Sequence, residues 1–159
     1  QRVQVSLAQL AQTAEAAGVR VALEFQAKAG VGNNLQTAAA LVAAAGSGYL
    51  GLCFDAFHYH VGPSKPEVLA LFDNENLFLV QLCDVADVPR EFAMDQHRIL
   101  PGEGEIGLEA IVQRLRDISY EGPVTTEVLN PQLWQAPTRQ FGEIAITSLR
   151  RCLGINEPV

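Results

Sequence analysis

Short apolar runs alternate with longer amphipathic segments along the chain. Four runs rich in β-branched and aromatic residues predict strands at 19–25, 49–54, 76–85 and 124–128. Amphipathic segments predict helices near 6–17, 35–45, 64–72, 108–119 and 138–153. Capping boxes that start at Ser6 and Ser64 mark two of their beginnings, and terminal glycines mark several of their ends. Strands that alternate with helices at this spacing form βαβ units, so the pattern predicts an α/β fold with a parallel sheet.

Each predicted strand carries a polar side chain near its C-terminal end. These residues are Glu24, Asp55, Gln81 and Glu127. Parallel α/β sheets bind ligands at this edge, so the four residues mark a candidate site. In a flat sheet the outer two would lie roughly 14 Å apart, too far for one ion, whereas a sheet curled into a barrel would bring them together.

The chemistry of these four side chains favours a cation. The three carboxylates have no obvious lysine or arginine neighbour in the sequence, so a bound cation is expected to stabilise them if they converge. Carboxylate and amide oxygens are hard ligands of the kind that Mg²⁺ and Mn²⁺ prefer.

Composition narrows the function classes further. The chain has 159 residues, 48% of them hydrophobic and 18% charged, which is typical of one soluble globular domain. A net charge of -7 without a basic run disfavours nucleic acid and anionic membranes as partners. No apolar stretch has the length of a membrane span. The three cysteines suggest reduced thiols, so we expect a cytoplasmic protein.

The strand-end motifs resemble a known family. "VALEF", "GLCFDAFHYH", "FLVQLCD", "RILPGEGEI" and "VTTEVLNP" look like successive motifs of the xylose isomerase-like TIM-barrel superfamily. That superfamily includes sugar phosphate isomerases and epimerases as well as family 2 abasic-site endonucleases. The resemblance covers nearly the whole chain and implies that residues 1–159 form a single domain, the C-terminal four strands and helices of a (β/α)₈ barrel. We expect the N-terminal half-barrel in the natural protein, or a second copy that completes the sheet.

The resemblance also implies a site. It assigns one divalent ion to Glu24, Asp55, Gln81 and Glu127, with Mn²⁺ or Mg²⁺ expected and Co²⁺ or Zn²⁺ as alternatives. His58 and Arg98 are expected to touch the substrate, a keto-sugar or a cyclic hydroxy-ketone. The predicted function is a sugar or sugar phosphate isomerase or epimerase.

The expected reaction is proton transfer next to a carbonyl through a metal-stabilised enediolate. Glu24 and Glu127 are expected to act as base and acid on opposite faces of the substrate, and His58 to donate to a substrate oxygen or shuttle a proton.

Two other functions remain open. Many superfamily members have histidine where this chain has Gln81, and glutamine is similar to hydroxypyruvate isomerases and bacterial 3-dehydroshikimate dehydratases. A dehydratase-like lyase on the same metal site is therefore the first alternative. A non-catalytic sugar-binding module is the second. An endonuclease is disfavoured by the negative charge and by the presence of only three histidines.

The individual residues also have simpler interpretations. Asp55 could cap a turn or helix, and Gln81 could be a buried amide that bonds within the barrel. Arg98 could be a surface cation, and His58 a loop residue. His60 could join Asp55 and His58 in a different metal set.

Overall fold

The computed structural model describes residues 2–155 and contains two sheets. The strands are β1 (Val21–Glu24), β2 (Leu50–Asp55), β3 (Leu77–Leu82), β4 (Asp84–Val85), β5 (Arg98–Ile99) and β6 (Val124–Thr126). The main sheet has the order β1-β2-β3-β6, and all its neighbours are parallel. Strands β4 and β5 form a separate antiparallel pair. The parallel main sheet confirms the predicted α/β class.

Helices cover one face of the main sheet. They are α1 (Arg2–Ala17), α2 (Leu35–Ala45), α3 (Ala56–Val61), α4 (Leu108–Asp117) and α5 (Thr138–Leu153). Short 3₁₀ helices occupy Pro66–Leu71, Arg90–Phe92, Asp95–His97 and Leu133–Gln135. Helix α2 packs on β2 and α5 on β6, while α1 packs on α2 and α4 on α5. Within residues 2–155, every helix is too short or too polar to cross a membrane.

The two faces of the main sheet differ in burial. Leu52, Phe54, Val80 and Leu82 point toward the helices and are fully buried in the hydrophobic core. On the other face the register pairs Glu24 with Cys53, and Asp55 with Gln81. Because side chains alternate along a strand, these four share one face, which we call the inner face. Gln81 is only half-buried, so the inner face is partly open.

A glycine shapes the inner face at the end away from the site. A Cβ on Gly51 would overlap the ring of Phe78 on the neighbouring strand. The guanidinium of Arg20 lies 4.7 Å from the centre of that ring. Gly51 therefore lets the Phe78 ring lie flat across β2 and close this end of the face.

Several predicted boundaries are confirmed, and others are wrong. Helices α2 and α5 begin and end where the sequence predicts. Helix α1 begins at Arg2, so Ser6 lies within the helix and does not cap it. The segment from Pro66 is a 3₁₀ helix, and Ser64 does not cap it either, because its Oγ accepts the backbone N–H of Leu35.

The third predicted strand is in fact two strands. It was expected to span 76–85, but β3 ends at Leu82, and Asp84–Val85 turns away to pair with Arg98–Ile99. The long segment 86–107 therefore contains β5 and two short 3₁₀ helices. Pairing of β4 with β5 brings this segment back to the C-terminal edge of the main sheet.

Candidate active site

The four strand-end residues lie at one edge of the main sheet. Glu24 and Asp55 are the last residues of β1 and β2, Gln81 is the penultimate residue of β3, and Glu127 follows β6 directly. The Asp55 side chain is fully buried, whereas those of Glu24 and Glu127 are 27% and 31% exposed. This edge therefore presents three carboxylates, two of them open to a ligand.

Asp55 and His58 are positioned by the start of α3. Asp55 is the N-cap of this helix, and its Oδ1 accepts the backbone N–H of His58 at 2.9 Å, which confirms the helix-capping interpretation. His58 Nε2 then lies 3.6 Å from Glu24 Oε1. One ligand atom each from Glu24, Asp55 and His58 lie within 4.8 Å of one another. The structure thus groups two predicted metal ligands with the histidine expected at the substrate.

Arg98 is a buried cation at the centre of the site. Its side chain is 1% exposed, and Nη1 lies 2.7 Å from Asp55 Oδ2 and 3.3 Å from Glu127 Oε2. Its guanidinium also lies 4.3 Å from the centre of the Phe57 ring. The surface-cation interpretation is wrong, as is the expectation that the carboxylates have no arginine neighbour. The pairing of β4 with β5 brings Arg98 back to Asp55 across 43 residues of sequence.

Gln81 and His60 are placed differently from the other candidates. The Gln81 side-chain oxygen accepts the Cys53 thiol at 2.9 Å, so it already has a donor from the protein. Its position beside Asp55 fits ligation as well, which stays a prediction. Among residues 2–155, His60 does not belong to the group of Glu24, Asp55 and His58.

The electrostatics disfavour the ionised forms of Glu24 and Glu127 without further positive charge. Burial, and then the neighbouring Asp55 carboxylate, raise the pKa of Glu24. Burial and a hydrogen bond with Asp55 raise the pKa of Glu127 to about 7, against the opposing charge of Arg98. Burial also raises the pKa of the Cys53 thiol to about 12, so Cys53 stays protonated and is not a nucleophile. Raised carboxylate pKa values mean that a proton or a cation is favoured here.

The donor set fits a divalent cation. Carboxylate oxygens and an imidazole nitrogen are ligands for Zn²⁺ and Mn²⁺, and the amide oxygen of Gln81 is available on the adjacent strand. His58 Nδ1 is buried and has no hydrogen-bond partner among the described residues. A buried polar atom without a partner is costly, so it marks a place where a ligand or substrate atom belongs.

A buried aspartate fixes the segment that carries Arg98. Asp84 Oδ1 accepts the backbone N–H groups of Val85 and Ile106, and Oδ2 accepts that of Gly102. The Asn130 side chain donates to the backbone oxygen of Arg98 at 3.1 Å. These bonds hold the segment over the site.

Two residues beside the site were missed by the sequence analysis. Asp95 Oδ1 accepts Arg98 Nε at 2.9 Å, and the spacing of three residues between them was a signal that could have suggested the pair. Lys28 lines a cavity next to His58. The sequence offers no comparable signal for Lys28, because its role depends on the path of the loop after β1.

Comparisons with known proteins place the chain in a family. Residues 1–151 match the model of the family described as xylose isomerase-like TIM barrel. The inosose isomerase of Bacillus velezensis (strain FZB42) is 34% identical over 135 residues, covering 81% of this chain and 46% of that protein. The 3-dehydroshikimate dehydratase of Pseudomonas aeruginosa (strain PAO1) is 33% identical over 157 residues, covering 95% of this chain and 24% of that protein. The chain thus spans about half the length of the inosose isomerase and a smaller share of the dehydratase.

Solved structures agree on the fold. The crystal structure of the IolI protein with a bound zinc atom has a TM-score of 0.87 at 26% identity, covering 99% of this chain and 57% of that chain. A D-psicose 3-epimerase from Clostridium cellulolyticum H10, solved with D-tagatose, has a TM-score of 0.74 at 19% identity, covering 98% and 55%. At that identity the epimerase supports the fold alone.

Proposed function

The chain belongs to the xylose isomerase-like TIM-barrel family, and from this premise we propose that it acts as a divalent-metal-dependent isomerase or epimerase. One observation carries the proposal: Glu24, Asp55 and His58 place ligand atoms within 4.8 Å of one another at the C-terminal edge of the sheet. The inosose isomerases among its relatives support the reaction class.

We assign the ion to Glu24, Asp55, Gln81 and Glu127, with His58 beside them. The zinc atom in the IolI structure supports a divalent ion of this kind, and the oxygen-rich donor set suits Mn²⁺ or Mg²⁺ as well. Bound there, the ion supplies positive charge that polarises a substrate carbonyl and makes the adjacent carbon more acidic.

The side chains of the site can transfer protons and form hydrogen bonds to the substrate. In the metal-free site, burial and a hydrogen bond with Asp55 raise the pKa of Glu127 to about 7, and a bound cation would lower it and favour the carboxylate that takes a proton. Glu24 reaches the site from β1, and Glu127 from the far side of the sheet after β6, so the pair can act on opposite faces of a carbon next to the carbonyl. His58 Nδ1, which has no hydrogen-bond partner within residues 2–155, suits a hydrogen bond to a substrate oxygen.

Arg98 holds two strand ends of the site at a fixed distance. Its guanidinium binds Asp55 and Glu127 at once and so fixes the separation of two strand ends. A direct contact between Arg98 and the substrate stays a prediction.

A dehydratase is the second candidate, favoured by the similarity to 3-dehydroshikimate dehydratase over 95% of the chain. Its first step is the same removal of a proton next to a carbonyl. The electron pair left on carbon then forms a double bond as the neighbouring hydroxyl departs with a proton, as water. Both candidates need the same metal site, so the product distinguishes them.

Metal binding is the first test. The natural full-length protein is incubated with Zn²⁺ or Mn²⁺, desalted and analysed for metal by mass spectrometry. We expect about one ion per chain, and loss of that ion in Asp55→Asn because a ligand carboxylate is removed. Asp117→Asn, at the exposed end of α4, is the matched control. Equal metal content in Asp55→Asn and wild type would refute the assignment.

Turnover is measured next, with D-tagatose, inosose and 3-dehydroshikimate in D₂O. An isomeric ketose that carries deuterium at the carbon next to the carbonyl, seen by NMR, supports the isomerase, and a conjugated ultraviolet chromophore supports the dehydratase. Binding of a ketose without exchange or turnover would instead support a non-catalytic sugar-binding module.

A further inference from the structure

A cavity of about 570 Å³ opens beside the three carboxylates of the site, Glu24, Asp55 and Glu127. Its walls come from the loop after β1, from α3 and from the 3₁₀ segment around residue 95. His58 belongs to the cavity wall and also lies 3.6 Å from Glu24, so it joins the cavity to the site. If the carbonyl of a substrate lies at these carboxylates, the rest of its carbon skeleton can therefore occupy this cavity.

Lys28 places a cation on the wall of this cavity. Apart from His58, the charged side chains that line it are Lys28 and Asp95. The Asp95 carboxylate pairs with Arg98 at 2.9 Å, a guanidinium that it shares with Asp55 and Glu127. Lys28 Nζ donates to the backbone oxygen of Ala93 at 3.3 Å, which is a neutral acceptor. In the part of the chain that the structure describes, no carboxylate pairs with Lys28.

An ammonium group has three N–H donors, and the Ala93 oxygen uses one of them. Lys28 is exposed, so its two remaining donors are open both to solvent and to the cavity, whose walls also include Gln26 and Gln96. Anionic oxygens are the strongest acceptors for such donors. Water hydrates the exposed ammonium group, and a neutral hydroxyl gains less than an anion by replacing that water.

We propose that Lys28 is a specificity-determining residue that binds an anionic group, a phosphate or a carboxylate, at the end of the substrate away from the carbonyl. This inference rests on the proposed function and names its substrate class. A sugar phosphate or a cyclic hydroxy-ketone that carries a carboxylate, such as 3-dehydroshikimate, is then favoured over a neutral polyol ketone such as inosose.

Two matched ligand pairs test the proposal in the natural full-length protein. D-Fructose 6-phosphate is compared with D-fructose, and 3-dehydroshikimate with its methyl ester, by calorimetric titration with and without Zn²⁺. We expect one anion to bind on the order of 10- to 100-fold more tightly than its neutral counterpart, and the pair that shows this identifies phosphate or carboxylate.

The variant Lys28→Met should remove that preference, and Lys28→Arg should restore most of it. Lys65→Met is the matched control, because Lys65 is the other lysine of the chain and does not line the cavity. The control should keep the preference of the wild type.

Three results would overturn the proposal: equal binding within both pairs, no binding of either anion, or a preference that survives in Lys28→Met. If Lys28→Met weakens neutral and anionic ligands equally and lowers the melting temperature, Lys28 serves only to tie two loops together. Failure of the proposed function looks different, since the wild type would then retain no metal, while the titrations without Zn²⁺ would still decide the role of Lys28.

Discussion

Asp55 and Arg98 form an ion pair in which both side chains are buried, and such pairs are costly to break from one side. Arg98→Met would remove the guanidinium that pairs with the buried Asp55 carboxylate, and Glu127 would lose the same partner. We expect the free energy of unfolding of the metal-free protein to fall by roughly 3–5 kcal/mol, measured by urea denaturation. Arg139→Met, which breaks the exposed pair with Glu143, should have little effect. Similar losses in both variants would contradict this account.

Glu127 should make stability depend on pH. Its pKa is about 7 in the folded chain and near 4.5 as an ordinary glutamate, so the folded state holds the proton more tightly. The contribution of the Glu127 proton to the free energy of unfolding is therefore fully present below about pH 4.5 and is lost as pH rises to about 7. Urea denaturation of the metal-free protein across this range should show the decline, and Glu127→Gln should flatten it. Glu121→Gln, on the loop that precedes β6, should decline like the wild type; a wild-type slope in Glu127→Gln would contradict the assignment.

The sequence pattern predicted some of these residues and not others. Glu24, Asp55 and Glu127 could be found because each ends an apolar strand, and parallel strands share one edge. The burial of Arg98 could not be found, because it depends on the pairing of β4 with β5 inside a segment that lacks a periodic pattern. The hydrogen bond from the Cys53 thiol to Gln81 could not be predicted either, because it depends on the register between β2 and β3.

At the scale of elements, the turn after β5 depends on a close approach to β4. A Cβ on Gly104 would overlap the backbone oxygen of Val85 and the carboxylate of Asp84. Gly104→Ala should therefore lower the free energy of unfolding by roughly 1–3 kcal/mol. Gly142→Ala is the matched control within α5, where an added Cβ meets no atom within 4 Å. It should raise stability by about 0.5–1 kcal/mol, and the same sign for both variants in urea denaturation would refute this interpretation.

Local signals explain which elements were predicted correctly. Helix α2 has Asn34 as its N-cap and Gly46 in the left-handed region as its C-cap, so both ends are encoded nearby. Asp84 and Val85 continue an apolar run, and the run alone does not show that they leave the main sheet. Their partner strand lies more than ten residues away, so only the folded chain defines that boundary.

At the scale of the whole molecule, the inner face of the main sheet is partly open. A closed barrel covers the inner faces of its strands, and this chain spans about half the length of the inosose isomerases. That residues 1–159 form the C-terminal portion of such a barrel stays a prediction. The position of the site is consistent with this prediction, because the proposed ligand atoms come from strand ends that face the open side of the sheet.

The free edges of the main sheet lead to a prediction about association. Within residues 2–155, β1 and β6 each pair with one neighbour and leave backbone groups open on the other side. Open edges beside a half-exposed face favour pairing with another sheet, so we expect residues 1–159 alone to self-associate, measured by sedimentation velocity over a wide range of concentration. Thr125→Lys places a charge on the edge strand β6 and should weaken association, whereas Gln140→Lys on α5 adds the same charge away from the sheet and should not. A wild type that stays monomeric throughout, or equal effects of the two variants, would show that these edges are protected in another way.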